Sequence, residues 1–63
     1  MAATPFKIER IKQELTQTEL AARSGIPQHR ISLLERGVRP RPDEVRALAD
    51  AFKVDPQELF QTA

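Results

Sequence analysis

The sequence lacks cysteine entirely and has one histidine among its 63 residues. Disulfides and thiolate-bound metals are therefore excluded, and with no cysteine beside it we do not expect the single histidine, His29, to be a metal ligand. No apolar run approaches the ~20 residues that a membrane-spanning helix needs, and the N-terminus has no basic-then-apolar signal pattern. We expect a soluble, cytoplasmic protein that contacts no membrane and has no metal, cofactor or evident small-molecule ligand.

The chain is also poor in the groups from which catalytic sites are built. It has no cysteine nucleophile, no familiar spacing of serine, histidine and aspartate, and only two glycines, too few for a loop that cradles a phosphate. We therefore predict no catalytic residues and a protein that is not an enzyme.

The length indicates a single domain, residues 1–63, that buries about 60% of its unfolded surface and is stable by a few kcal/mol. Apolar residues recur at helical spacing and no segment alternates like a strand, which predicts an all-α fold. Residues 1–5 have little to pack against and are expected to form a loose N-terminal arm. The starting Met1 and the lack of a trailing linker favour a complete small protein over one piece of a longer regulator.

The net charge of +1 conceals an asymmetry along the chain. Residues 1–42 carry eight Lys or Arg and four acids, a balance of +4, whereas residues 43–63 carry two bases and five acids, a balance of −3. This division suits a domain that presents a basic face to phosphates and another face to a protein partner. A mixed, solvated surface would have the same composition, so charge alone leaves both interpretations open.

Two short helical patterns joined by a glycine-containing turn occupy residues 16–37. Thr16 and Glu19 have the spacing of a capping box, which predicts a helix over about 17–24. Gly25 can then adopt the positive φ that ends such a helix. A second helix over about 28–36 completes a helix-turn-helix arrangement, whose second helix can enter the major groove of DNA.

Further helices are predicted on both sides of this unit. The first has apolar residues at mostly helical intervals, namely Phe6, Ile8, Ile11 and Leu15. The fourth begins at Pro42 and is expected to bury a stripe of Val45, Leu48, Ala49 and Phe52. A short fifth helix is expected to start with Asp55 as N-cap, Pro56 at the first position and Glu58 completing a capping box.

Several strings at matching spacing carry a family resemblance: Thr16-Gln17-x-Glu19-Leu20-Ala21, Gly25-Ile26, Ile31-Ser32, Glu35-Arg36-Gly37, Pro40, Leu48-Ala49 and Val54-Asp55-Pro56-x-Glu58-Leu59-Phe60. Together they resemble the Cro/CI-type helix-turn-helix family of phage repressors and small bacterial regulators, over about residues 6–60. The resemblance implies a compact five-helix, lambda-repressor-like fold whose helices 2 and 3 form the helix-turn-helix. It also implies a transcriptional regulator that binds a palindromic operator in double-stranded DNA as a homodimer.

Two positions depart from the family pattern. Glu14 stands near the place where the family commonly has the glycine that ends the first helix, so that helix is expected to end differently. Pro27 replaces the usual Ser or Thr cap of the third helix, and a proline has no side-chain oxygen to cap it, a loss of about 1 kcal/mol.

The residues expected to read base edges lie on the third helix: Gln28, His29, Arg30, Ser32 and Leu33. Residues at the N-terminal end of a recognition helix lie deepest in the groove, and glutamine can pair bidentately with adenine. Since Ile31 and Leu34 supply the core stripe, Leu33 is left exposed and could touch a thymine methyl group. Partial burial at the edge of the helix is the alternative for Leu33, and a solvated surface role is the alternative for Arg30.

The resemblance implies phosphate contacts from Gln17, Arg36, Arg39 and Arg41, and a structural ion pair between Arg10 and Glu35. The alternative for that pair is two independent surface charges. Leu59 and Phe60 are the candidates for a dimer interface, one packing on the fourth helix and the other facing a second subunit, unless both complete the monomer core. The alternative to a DNA-binding regulator is an antitoxin-like or adaptor module that uses the same fold to bind a protein.

Overall fold

The computed structural model describes residues 4–59, which contain helices and no strand. The elements are α1 (Pro5–Lys12), α2 (Gln17–Ser24), α3 (Gln28–Glu35), α4 (Pro42–Phe52) and a 3₁₀ helix (Pro56–Leu59). The predicted all-α class is confirmed, but the expected fifth α-helix is a single 3₁₀ turn. Within residues 4–59, no helix is long and apolar enough to cross a membrane.

The start of α1 corrects the prediction of a loose arm over residues 1–5. Thr4 is the N-cap, its hydroxyl accepting a hydrogen bond from the Lys7 amide at 3.3 Å, and Pro5 occupies the first turn. Proline suits that position because its fixed φ is already helical and its missing N–H would have no helical partner. Pro5 therefore belongs to α1 and Thr4 caps it, and residues 1–3 lie outside the described part.

The end of α1 lies earlier than the apolar spacing suggested. The helix ends at Lys12, and Glu14 adopts a φ of 58°, the left-handed conformation that a glycine adopts without strain. The reversal sends Leu15 into the core, where it is 7% exposed, whereas Ile8 and Ile11 are 50% and 56% exposed. Neither isoleucine is therefore part of the core.

The helix-turn-helix is built by local hydrogen bonds. Thr16 accepts from the Glu19 amide at 3.0 Å and its own amide donates to the Glu19 carboxylate at 2.9 Å, which confirms the capping box. Gly25 ends α2 with a φ of 77°, and its amide donates to the Ala21 carbonyl at 2.9 Å. Ile26 then buries its side chain and carries the chain into α3.

One core joins all the elements. Its most completely enclosed side chains are Leu20, Ile31, Leu34, Leu48 and Leu59, one or two from each element after α1. The predicted stripe of α4 is confirmed for Leu48, Ala49 and Phe52, but Val45 is only partly buried. Glu44 and Ala51 are the buried residues of α4 that the apolar spacing missed.

The last two elements meet at a sharp bend. Lys53 caps the end of α4 with a φ of 59°, so that Val54 packs against the core and Asp55 directly precedes the 3₁₀ helix. The Asp55 carboxylate accepts from the Gln57 amide at 2.9 Å rather than forming the predicted reciprocal pair with Glu58. The 3₁₀ turn places Leu59 in the core with 2% of its surface exposed.

Candidate nucleic-acid interface

The face of α3 opposite the core is exposed. Ile31 and Leu34 point inward and are each 1% exposed, while Gln28, His29 and Leu33 are open to solvent and Ser32 is partly buried. At 3.6 residues per turn, these four outward residues form one continuous arc on the side away from the buried stripe. An exposed polar arc with one leucine on it can contact an external surface along its whole length.

The rear of α3 is tied to α1 and α2 through the Glu35 carboxylate. Arg10 Nε donates to Glu35 Oε2 at 2.6 Å and Arg10 Nη2 to Glu35 Oε1 at 3.2 Å, a two-bond contact in which the side chains are 14% and 5% exposed. The hydrogen bond to Glu35 raises the pKa of Arg10. Gln17 Nε2 donates to Glu35 Oε1 at 3.1 Å, so one carboxylate links three helices.

A second ion pair ties α3 to α4. Arg30 Nε donates to Glu44 Oε2 at 2.7 Å, and Arg30 Nη2 donates to Glu44 Oε1 at 2.9 Å. The hydrogen bond from Arg30 is the main reason why the pKa of the Glu44 carboxyl falls to about 2, and the Arg41 amide, donating at 2.9 Å, adds to it. The same bond raises the pKa of Arg30.

Three exposed arginines lie on the segment that leaves α3. Arg36 caps the C-terminus of the helix, and Gly37 turns the chain with a φ of 109°. Arg39 and Arg41 follow on either side of Pro40. All three side chains are exposed, and together they form a basic segment at one end of the exposed arc. Such guanidinium groups suit phosphate oxygens, which they contact without regard to sequence.

The structure brings together most of the residues that the sequence singled out. Gln17, Arg10 and Glu35 share one network, and the α3 candidates except Arg30 share the exposed arc. Arg30 lies at the border of the arc with its guanidinium on Glu44, a partner that the sequence interpretation had missed. The signal in the sequence was the pair of acids Asp43 and Glu44 in the first turn of α4, where the helix dipole already favours negative charge.

The two dimer candidates have different outcomes. Leu59 is 2% exposed, so it is the member of the pair that packs on the domain and it has no surface left for a second subunit. The physical reason is the 3₁₀ turn, which folds back onto α4. Phe60 lies outside the described residues.

A short helix behind a glycine turn, anchored at the rear by ion pairs and presenting a polar arc beside exposed arginines, defines a helix-turn-helix DNA-binding domain. Comparison with known families agrees, because the sequence model of the helix-turn-helix family matches residues 6–59. The chain therefore belongs to the helix-turn-helix family, of the Cro/CI type, and is a DNA-binding regulator. No solved structure matches the chain at a significant level.

Proposed function

We propose that the chain is a sequence-specific, repressor-like regulator that binds a palindromic operator as a homodimer, with α3 in the major groove. The observation that carries the proposal is the uninterrupted outward arc of Gln28, His29, Ser32 and Leu33 on a helix whose opposite side is fixed in the core. A recognition helix needs such a free face and a rigid rear, because base contacts depend on its orientation in the groove.

The arc carries the chemistry that base edges require. Gln28 and His29, in the first turn of α3, can donate to and accept from purine edges, and glutamine pairs bidentately with adenine. Ser32 can bond with any base, and Leu33, which is 38% exposed, offers an apolar contact for a thymine methyl group. A good bidentate pair discriminates between bases by ~1–3 kcal/mol.

Phosphates on either side of the groove would be held by Gln17 and the basic segment. Gln17 stands at the first position of α2, where helix amides and the helix dipole favour an anion. Its Nε2 carries two hydrogens, and Glu35 takes one of them, which leaves the second for a phosphate oxygen. Arg36, Arg39 and Arg41 would supply the remaining contacts.

The experiment that tests the proposal is selection of bound sequences from a random duplex pool, followed by binding of the selected duplex at two salt concentrations. We expect a palindrome whose half-sites lie about 34–36 Å apart, one turn of DNA. Failure to enrich any sequence, with weak binding that vanishes as salt rises, would leave only nonspecific electrostatic attraction and would overturn the operator assignment.

The proposed dimer requires its own test. Because Leu59 belongs to the core, we propose Phe60 for the interface, and the truncation that tests it ends the chain at Leu59. The full chain should sediment as a dimer and the chain ending at Leu59 as a folded monomer. A truncated chain that remains a dimer would move the interface to another surface.

One observation favours the protein-binding alternative. Ile8 and Ile11 are adjacent on the exposed side of α1 and half exposed, and Lys7 and Lys12 border them. An apolar pair between two lysines suits an acidic, amphipathic segment of another protein. Replacing both isoleucines by serine should leave both operator binding and regulation unchanged if the chain acts on DNA alone. If the chain acts as an adaptor, the same replacement should abolish regulation while DNA binding remains intact.

A further inference from the structure

Arg30 and Glu35 border the buried stripe of α3 on opposite sides. Arg30 lies one turn before Leu34, and Glu35 lies one turn after Ile31, so each charged residue is the neighbour of a core residue. Glu35 is bound by Arg10 of α1, and Arg30 is bound by Glu44 of α4. The recognition helix is therefore held by one ion pair along each edge.

The pair between Arg30 and Glu44 reaches beyond the two helices. Arg30 Nη2 lies 3.4 Å from the Arg39 carbonyl oxygen, and Glu44 Oε1 accepts from the Arg41 amide at 2.9 Å. Two ion-paired side chains thus contact the main chain on both sides of Pro40. These contacts fix the position of the backbone that carries the exposed Arg39 and Arg41 side chains relative to α3.

The same contacts keep the Arg30 guanidinium away from bases in the major groove of DNA. Its guanidinium makes two charge-assisted bonds to a carboxylate whose side chain is only 10% exposed. To reach a base, Arg30 would have to leave Glu44 largely enclosed and without its partner, and an enclosed carboxylate that loses its partner is strongly disfavoured. Keeping the pair intact retains both contacts to the basic segment.

We infer that Arg30 does not read bases but is a positioning residue, which together with Glu44 fixes the basic segment so that Arg39 and Arg41 meet phosphates at a set distance from α3. This inference rests on the proposed function, since it assigns a role within the same DNA interface. Base reading is then left to Gln28, His29, Ser32 and Leu33. Arg30 contributes to the affinity for every sequence.

The test uses two substitutions that conserve net charge, so that the overall attraction to DNA is constant. Arg30→Lys cannot span both Glu44 oxygens and the Arg39 carbonyl, and Glu44→Asp is too short to reach Arg30 in the same geometry. Arg46→Lys, on the exposed side of α4, is the matched control. Each protein is measured free by amide hydrogen exchange, and with the selected duplex and a random duplex of equal length at several salt concentrations.

In the free protein, we expect the Arg41 amide to exchange at least about tenfold faster in Arg30→Lys and Glu44→Asp than in the wild type. The Leu20 amide, bonded to the Thr16 carbonyl at 3.0 Å, monitors the whole fold and should change much less. An Arg41 amide that exchanges at the wild-type rate in Arg30→Lys would overturn the positioning role, whether or not the protein binds DNA.

With DNA, we expect both variants to bind the selected and the random duplex about tenfold more weakly. The slope of log affinity against log salt concentration should become shallower by up to about 2, one for each phosphate contact. Arg46→Lys should match the wild type. If Arg30→Lys alone lost preference at one base pair while Glu44→Asp bound normally or more tightly, Arg30 would be a base reader and the inference would be wrong. A wild type that binds no DNA would remove the proposed function, and the exchange of the Arg41 amide would still decide whether Arg30 fixes the segment.

Discussion

Arg10 is expected to matter more for stability than an arginine in an exposed ion pair. Its partner Glu35 is 5% exposed, so Arg10→Met would leave an enclosed carboxylate with only Gln17 as a side-chain donor. We expect a loss of about 3 kcal/mol in the free energy of unfolding, measured by urea denaturation, which is most of the stability of a domain this small.

The double variant Arg10→Met/Glu35→Leu is the control. Removing both charges removes the unpaired carboxylate, and apolar side chains of similar size should recover most of the lost stability. If Arg10→Met alone cost less than about 0.5 kcal/mol, the pair would behave as two independent surface charges.

Gly25 and Glu14 both have a left-handed backbone conformation, which glycine adopts without strain and glutamate does not. A Cβ on Gly25 would meet no atom within 4 Å, so Gly25→Ala tests the φ of 77° alone and should cost about 1 kcal/mol. Glu14→Gly should instead stabilise the domain by about 0.5 kcal/mol, because relief of left-handed strain outweighs the greater chain entropy of glycine. Both follow from urea midpoints, and equal effects of the same sign would contradict the strain argument.

At the scale of the elements, substitutions in α3 should change the preference for particular DNA sequences, whereas substitutions in the basic segment should change the affinity for all DNA. Gln28→Ala or His29→Ala removes a side chain from the exposed arc and should reduce discrimination between the selected and random duplexes by ~1–3 kcal/mol, with random binding nearly unchanged. Arg39→Ala should weaken binding to both duplexes by the same factor and lower the salt slope of binding by about 1. Quantitative binding to both duplexes checks each variant.

Two outcomes would contradict the assignment of base reading to α3 and of phosphate contact to the basic segment. Equal losses on both duplexes for Gln28→Ala and His29→Ala would argue against base reading from the first turn of α3. A salt slope that Arg39→Ala leaves unchanged would remove Arg39 from the phosphate contacts.

Elements whose ends are set by contacts within four residues were predictable. The capping box of α2, the glycine that ends it and the proline that starts α4 all act locally, and each appears as expected. The end of α1 was predicted poorly because Ile8 and Ile11 mimic a longer stripe. The helix stops earlier, since Leu15 reaches the core only if the chain reverses at Glu14.

At the scale of the molecule, acid stability should depend on Glu44. Its pKa is about 2 in the folded domain against an ordinary 4.5, so the folded state favours the charged form. The resulting stabilisation is complete above the unfolded pKa and is lost as the pH falls from about 5 to about 2. The stability difference between wild type and Glu44→Gln should therefore be largest near neutrality and shrink toward zero at pH 2, as followed by thermal unfolding.

The comparison variant for that measurement is Glu58→Gln, which removes an exposed carboxylate from the 3₁₀ helix. Its stability should follow the wild type across the same pH range. A Glu44→Gln difference that persisted unchanged at pH 2 would show that packing of Glu44, rather than its charge, is responsible.

The charge asymmetry along the chain has a different meaning in the folded molecule. The sequence suggested a basic half and an acidic half on separate faces, with sums of +4 and −3. In the structure, Glu44 from the acidic half lies against Arg30 from the basic half and supports the basic segment. Part of the acidic charge therefore lies against α3 and the basic segment rather than on a separate face.

The sequence by itself determined the all-α class, the helix-turn-helix and the inward turn of Ile31 and Leu34, because caps, glycine turns and apolar spacing act over a few residues. The tertiary structure alone decided that Leu59 completes the core and that Arg30 pairs with Glu44, fourteen residues away. The Arg10–Glu35 contact, twenty-five residues apart, was expected only from family resemblance. Such pairings depend on how helices pack, and no local pattern of residues specifies which charges then meet.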